Sequence, residues 1–178
     1  MAAVARYLAD TSALACLHHP DVAAVLAPLI ESGLVATCGV IEFELGWATR
    51  SSAEFDQLRA HRNAGYERLA TRDEDWRRAL DVQAALWRAG RLRAVGLPDL
   101  LIAAVAERER VTALHYDGDY ELIAQATGQP VQWVVPRNGS GTRISASYPS
   151  APAPHLIIRP LVTIPSGARA WGPIAKDV

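Results

Sequence analysis

Apolar runs with strand character alternate along the chain with longer stretches of helical period. Residues 4–8 form a short β-capable run, and residues 11–17 then turn helical. Pro20 and Asp21 open a second helix, with Asp21 as its N-cap, and Gly33 closes it. Residues 34–38 read as the next strand, 40–49 as a helix, and a further helix runs from Ser52 to near Gly65. Residues 73–89 predict a strongly amphipathic helix whose apolar face is Trp76, Leu80, Ala84 and Trp87, at three- and four-residue steps. An apolar helix over 98–108, a strand over 111–116, a helix over 120–127 and a strand over 131–135 complete the pattern. Repeated alternation of this kind predicts an α/β protein in three layers, a central, mainly parallel sheet flanked by helices. In such sheets the functional crevice lies beyond the carboxyl ends of the strands.

Beyond Pro136 the pattern stops. Residues 138–178 contain 6 Pro and 4 Gly, about a quarter of 41 residues, and no helical period survives. Only residues 156–158 and 161–164 are strand-capable, so this stretch is expected to be an irregular, Pro/Gly-rich C-terminal extension. The expected division is therefore a folded domain over 1–137 and an appendage over 138–178, whose removal should spare folding. There are no internal repeats.

Charge sharpens the picture in one respect. Of 18 basic residues 17 are Arg, and the single Lys, Lys176, stands three residues from the end of the chain. That excludes P-loop nucleotide hydrolysis, which needs a Gly-Lys pair on the phosphates, and Schiff-base catalysis by a buried amine. Net charge is −1, with residues 1–137 at −4 from 14 basic and 18 acidic residues, so no global field draws the chain to nucleic acid or membrane. No apolar run approaches the roughly 18 residues of a membrane span. Residues 1–6 lack a basic stretch leading into a long apolar one, so no signal peptide is expected. Cys16 and Cys38 are too few for a disulfide scaffold and fit a cytoplasmic protein.

The informative chemistry is acidic. Asp10 follows the first strand, Glu42 and Glu44 lie about a turn into the helix after the second, Asp99 opens the apolar helix, and Asp117 and Asp119 follow the strand ending at Tyr116. Singly, Asp10 and Asp99 would be ordinary residues at helix starts, and Asp117-Gly118-Asp119 an ordinary turn. Converging on one crevice, they repel one another by roughly 1–4 kcal/mol per pair at about 4 Å. A divalent cation relieves that repulsion, and Mg²⁺ or Mn²⁺ suits hard oxygen ligands that leave room for water. Such an ion polarises a phosphoryl oxygen and activates water, which is the apparatus of phosphodiester hydrolysis.

Four segments carry a resemblance: Asp10-Thr11-Ser12, Glu44-Leu45, Pro98-Asp99-Leu100-Leu101-Ile102-Ala103 and His115-Tyr116-Asp117-Gly118-Asp119-Tyr120, closing with Trp133-Val134-Val135-Pro136-Arg137. In this order and spacing the chain resembles the PIN-domain nucleases, and within them the VapC-type toxins of bacterial toxin–antitoxin pairs. The resemblance implies a PIN-like fold and a Mg²⁺-dependent endoribonuclease, with Mn²⁺ able to substitute, leaving a 5′-phosphate and a 3′-hydroxyl. It implies catalytic Asp10, Glu44, Asp99 and Asp117, with Asp10, Asp99 and Asp117 on the metal and Glu44 helping to activate water. The sequence leaves open whether Asp117 or Asp119 is the fourth carboxylate. Glu42 carries the right charge in a supporting position, although the Glu44-Leu45 pairing fits better. Ser12 is expected to hydrogen-bond a metal ligand or a substrate phosphate. A cognate antitoxin and a homodimer are implied as partners. The chain departs from the family in its tail, and in Gly118 and Tyr120, where a larger residue and Phe are expected; Gly118 should loosen that turn.

Arg88, Arg91 and Arg93, around Gly90, are weak candidates for binding RNA phosphates beside the acidic site. The five histidines lack the spacing of a zinc helix, and no Ser sits in a nucleophile elbow. An aspartate-nucleophile phosphatase or a receiver domain needs a site lysine, which is missing. The alternative left standing is a catalytically silent PIN-like module that binds RNA or a partner protein.

Overall fold

The computed structural model describes residues 5–91 and 93–136. The extension over 138–178 and its two strand-capable runs lie outside the described residues. Five strands, β1 (Tyr7–Ala9), β2 (Val35–Cys38), β3 (Glu67–Leu69), β4 (Thr112–His115) and β5 (Val131–Trp133), form one sheet. Its order is β3-β2-β1-β4-β5, and every pairing is parallel. Seven α-helices connect and cover the strands: α1 (Thr11–Ala15), α2 (Pro20–Glu31), α3 (Gly39–Trp47), α4 (Ser52–Gly65), α5 (Asp73–Arg88), α6 (Leu97–Glu109) and α7 (Asp119–Thr127).

The strand order makes the site. The chain moves outward from β1 through β2 to β3, then returns to place β4 on the other side of β1, with Leu8 opposite Ala113 and Ala9 opposite Leu114. Side-by-side strands whose connections run in opposite directions open a crevice at their carboxyl ends. Helix α6 has a fully enclosed middle, with Leu100, Leu101, Ile102, Ala103, Ala104, Val105 and Ala106 all buried. A helix apolar around its whole circumference has to lie in the core, and α6 thereby carries Asp99 in its first turn.

Three expectations need correction. Trp76, Leu80 and Trp87 are not the inner face of α5: they are 55%, 63% and 51% exposed. The inner stripe is Asp75, Ala79, Val82 and Leu86, the same period rotated by about one residue. Asp75 is tolerated there because Arg108 donates to both its oxygens, at 2.8 and 3.1 Å, and the Arg72 amide donates at 2.7 Å. Small side chains also let α5 lie close to α6, where two indoles would hold the helices apart. Secondly, β3 was not foreseen. Glu67 and Arg68 are exposed and only Leu69 is buried, so this edge strand is held by backbone pairing with β2 and has no apolar signature. Thirdly, Asp21 lies inside the first turn of α2, which starts at Pro20 with His19 as N-cap.

Candidate active site

The carboxyl ends of β1 and β4 are stitched together by Asp10 and Ser12. The Asp10 amide donates to the Leu114 carbonyl at 2.8 Å, and the Tyr116 amide donates to Ser12 Oγ at 3.0 Å. Ser12 turns back on Asp10, its amide and hydroxyl donating to Oδ2 at 2.9 and 2.5 Å. Asp10 is thus both the N-cap of α1 and a nearly buried carboxylate, 3% exposed. Its other oxygen, Oδ1, accepts the phenol of Tyr120 at 2.9 Å, and Tyr120 is fully buried. A carboxylate offers about four lone-pair positions. Two on Oδ2 and one on Oδ1 are occupied, so Asp10 keeps one for a further ligand.

The remaining carboxylates arrive from three other elements. Glu44, on α3, is half-buried and accepts the Thr11 hydroxyl at 2.7 Å. Burial raises its pKa, the Thr11 bond opposes that rise, and the Asp10 charge adds to it. Asp99 lies at the start of α6. Its pKa is pushed up to about 8, by burial first and then by the charges of Asp10, Asp119, Asp117 and Glu44. Asp119 is half-buried; burial and the Asp117 charge raise its pKa, while a hydrogen bond from the Gly96 amide opposes them. Asp117 is exposed, and its Oδ1 accepts the Asp119 amide at 3.1 Å. Gly96 serves both groups: a Cβ there would stand 2.7 Å from Asp99 Oδ2, so this residue must be Gly for Asp99 to hold its place.

Glu42 is drawn elsewhere. It accepts Arg62 Nε at 2.9 Å and the Thr37 hydroxyl at 2.5 Å, and the Arg62 guanidinium lies 3.7 Å over the Tyr66 ring. This paired carboxylate ties α3 to α4 and is not part of the acidic group. Arg91 and Arg93 line a cleft of about 260 Å³ with Trp87, Gly96 and Leu97. Arg91 donates to Gln125 Oε1 at 2.6 Å, and Arg88 is exposed at the end of α5. Gly118 does not loosen its turn: at φ −67 and ψ −16 its backbone is ordinary and directly precedes α7. Thr11, Gly96 and the Tyr120 hydroxyl were not foreseen as parts of the site. The one signal for Tyr120 was its replacement of the expected Phe.

Asp10, Glu44, Asp99, Asp117 and Asp119 take no part in any ion pair among the described residues. Hard oxygens with uncompensated charge are the donor chemistry of a divalent cation. Among the described residues no three His, Cys, Asp or Glu side chains are drawn in closely enough to hold an ion as they stand. The donors are assembled at one crevice without forming a closed cage.

Removing only the Tyr120 hydroxyl, as Tyr120→Phe, is expected to leave the fold intact, since the ring still stacks on His115 at 4.9 Å. If Asp10 ligates a divalent cation, loss of this bond should weaken binding of that cation, tested with Mg²⁺, about 10- to 100-fold. The Mg²⁺ concentration giving half-maximal thermal stabilisation measures it.

A doubly covered parallel sheet with five carboxylates at the switch between β1 and β4 defines an α/β protein with an acidic crevice suited to metal-assisted hydrolysis. The PIN domain family model matches residues 7–126. Ribonuclease VapC21 of Mycobacterium tuberculosis is 45% identical over 130 residues, which cover 73% of this chain and 94% of that relative. Ribonuclease VapC51 of the same organism is 40% identical over 131 residues, covering 74% and 94%. Among solved structures, VapBC2 from Rickettsia felis bound to a promoter DNA fragment superposes with a TM-score of 0.59 at 16% identity, over 71% of this chain and 97% of that one. VapBC-1 from nontypeable Haemophilus influenzae gives 0.58 at 15% identity, over 72% and 97%. At those identities the superpositions bear on the fold alone, and they agree with it. The chain belongs to the PIN-domain family.

Proposed function

We propose that the protein is a Mg²⁺-dependent endoribonuclease, the toxin of a toxin–antitoxin pair. The observation that carries this is the convergence on Asp99 of four further carboxylates from β1, α3 and the β4–α7 turn, none of them in an ion pair. Curated relatives named as VapC ribonucleases support the activity. Asp10 and Asp99 are the principal ligands in this reading, with Asp117 or Asp119 as the third. Asp119 is the stronger influence on Asp99, and it shares Gly96 with it. When bound, Mg²⁺ polarises the phosphoryl oxygen and lowers the pKa of the attacking water.

The protein supplies the rest. Ser12 and Tyr120 fix the orientation of Asp10. In this reading Glu44, whose pKa is raised, takes a proton from water, and the Thr11 hydroxyl holds one of its oxygens. Arg91 and Arg93, in the cleft leading to Gly96, serve as phosphate contacts that hold the strand.

An antitoxin partner is supported by the VapC relatives and by large apolar side chains left in solvent. Phe43 and Trp47 on α3 are 84% and 81% exposed, and Trp76, Leu80 and Trp87 stand out from α5. The same surfaces could pair two copies as a homodimer. No single helix among the described residues is long and apolar enough to cross a membrane, and we place the protein in the cytoplasm, where RNA is met. The catalytic unit in this reading is residues 1–137.

Cleavage of single-stranded RNA by the purified protein tests the function. Activity should require Mg²⁺, vanish in EDTA, and persist in a chain truncated after Arg137. RNA binding without any cleavage in Mg²⁺ or Mn²⁺ would instead support the silent module.

A further inference from the structure

Beside the acidic crevice is a second cavity, of about 430 Å³, lined by Tyr116, Asp117, Gly118, Trp133 and Val135. Two aromatic rings form its corner. Tyr116 is 44% exposed, and it meets Trp133 edge-on, with ring centres 6.0 Å apart and planes at 74°. Trp133 is held in place: its indole N–H donates to Glu121 Oε1 at 2.8 Å, and its ring packs on His115 at 4.8 Å. Trp133 therefore forms a fixed wall, while Tyr116 offers ring surface to the cavity.

Gly118 keeps this space open. Its backbone is one that any residue adopts, and a Cβ built on it meets nothing within 4 Å. Neither turn geometry nor packing calls for glycine, so the consequence of Gly118 is room. Among the described residues the lining contains no basic side chain, and the Asp117 carboxylate repels a phosphate while accepting hydrogen bonds from amino groups. Planar, amino-bearing and stacked on an aromatic ring describes an unpaired nucleobase.

We infer that this cavity is a base-binding subsite, taking one unpaired base of the RNA strand whose neighbouring phosphate lies at the acidic crevice. The inference rests on the ribonuclease reading, because Asp117 is common to the cavity and the crevice. The base stacks on Tyr116 against the Trp133 wall, and its amino group donates to Asp117. Adenine, cytosine and guanine offer such an exocyclic donor, whereas uracil can meet Asp117 only through its ring N3–H.

The test measures cleavage and equilibrium binding of a short single-stranded RNA by the full chain, alongside Tyr116→Ala and Gly118→Leu. Tyr116→Ala removes the stacking surface of an exposed residue, and Gly118→Leu fills the space. Both should raise KM and weaken RNA binding about tenfold or more, while kcat at saturating RNA and the Mg²⁺ requirement stay within about twofold. The same variants should have no effect on binding of a fully paired duplex of that sequence. Wild-type affinity for single-stranded RNA in both variants would overturn the subsite while leaving the ribonuclease intact. Tighter binding in Tyr116→Ala would also overturn it, assigning the cavity to the protein's own residues after Arg137. Absence of RNA cleavage by the wild type would remove the underlying reading itself.

Discussion

Asp99→Asn is expected to reduce RNA cleavage by about 10³-fold or more while leaving the protein folded. Asn matches the shape of the side chain and still fits above Gly96, where there is no Cβ to meet it. What it loses is the charge on which the other four carboxylates act. Without that charge the crevice holds a divalent cation poorly. In the metal-free protein at pH 8 the variant should melt no lower than the wild type, because a half-buried anion among like charges has been removed. Wild-type cleavage by purified Asp99→Asn would take Asp99 out of the active site.

The metal-free protein is also expected to lose stability as pH rises from about 4 to about 8, and Mg²⁺ to restore it. Below its ordinary pKa near 3.8, Asp99 is protonated in both the folded and the unfolded chain. Between that value and about 8 the unfolded chain releases the proton while the fold retains it. Folding is therefore linked to proton uptake at Asp99, whose contribution to stability falls with each step upward in pH until Asp99 ionises in the fold too. His115, its pKa lowered by burial, acts in the opposite sense below its ordinary value of 6.5. Bound Mg²⁺ favours the ionised carboxylate and reverses the trend. At a hundredfold excess over its Kd the ion adds about 2.7 kcal/mol, or about 5–10 °C in Tm for a chain of this size. Melting curves at pH 5 and pH 8, with Mg²⁺ and with EDTA, measure the effect. Stabilisation of equal size in Asp99→Asn would place the ion elsewhere.

Much of this architecture was legible in the chain because the controlling signals are local. Leu8 before Asp10, the apolar block from Leu100 to Ala106, and the turn at Gly33 each mark an element by their own composition. The crevice follows from the alternation of strands and helices, which by itself puts Asp10 and Asp117 just past strand ends. The orientation of α5 was not legible. A stripe of Trp76, Leu80 and Trp87 has the same period as the true inner stripe, and what decides between them is Arg108, 33 residues beyond Asp75. Glu42 and Glu44 were distinguishable only by motif; Arg62, 20 residues on, is what claims Glu42. Tyr120 is the sharpest case, since nothing local shows that its hydroxyl meets Asp10 from 110 residues away.

That distance also governs when the site can exist. Tyr116 meets Ser12 across 104 residues and Tyr120 meets Asp10 across 110, so the crevice depends on contacts between the first strand and the fourth. Contacts of such high sequence separation cannot form until both partners have been synthesised, and closing so long a loop makes them slow to form. A nascent chain that has already delivered Asp10, Glu44 and Asp99 still has a first strand with only half its neighbours and an Asp10 without its phenol. Chains interrupted before Tyr120 should therefore be inert, however many of the acidic residues they carry. For a protein that cuts RNA, this delays activity until translation of the message has run almost through the domain.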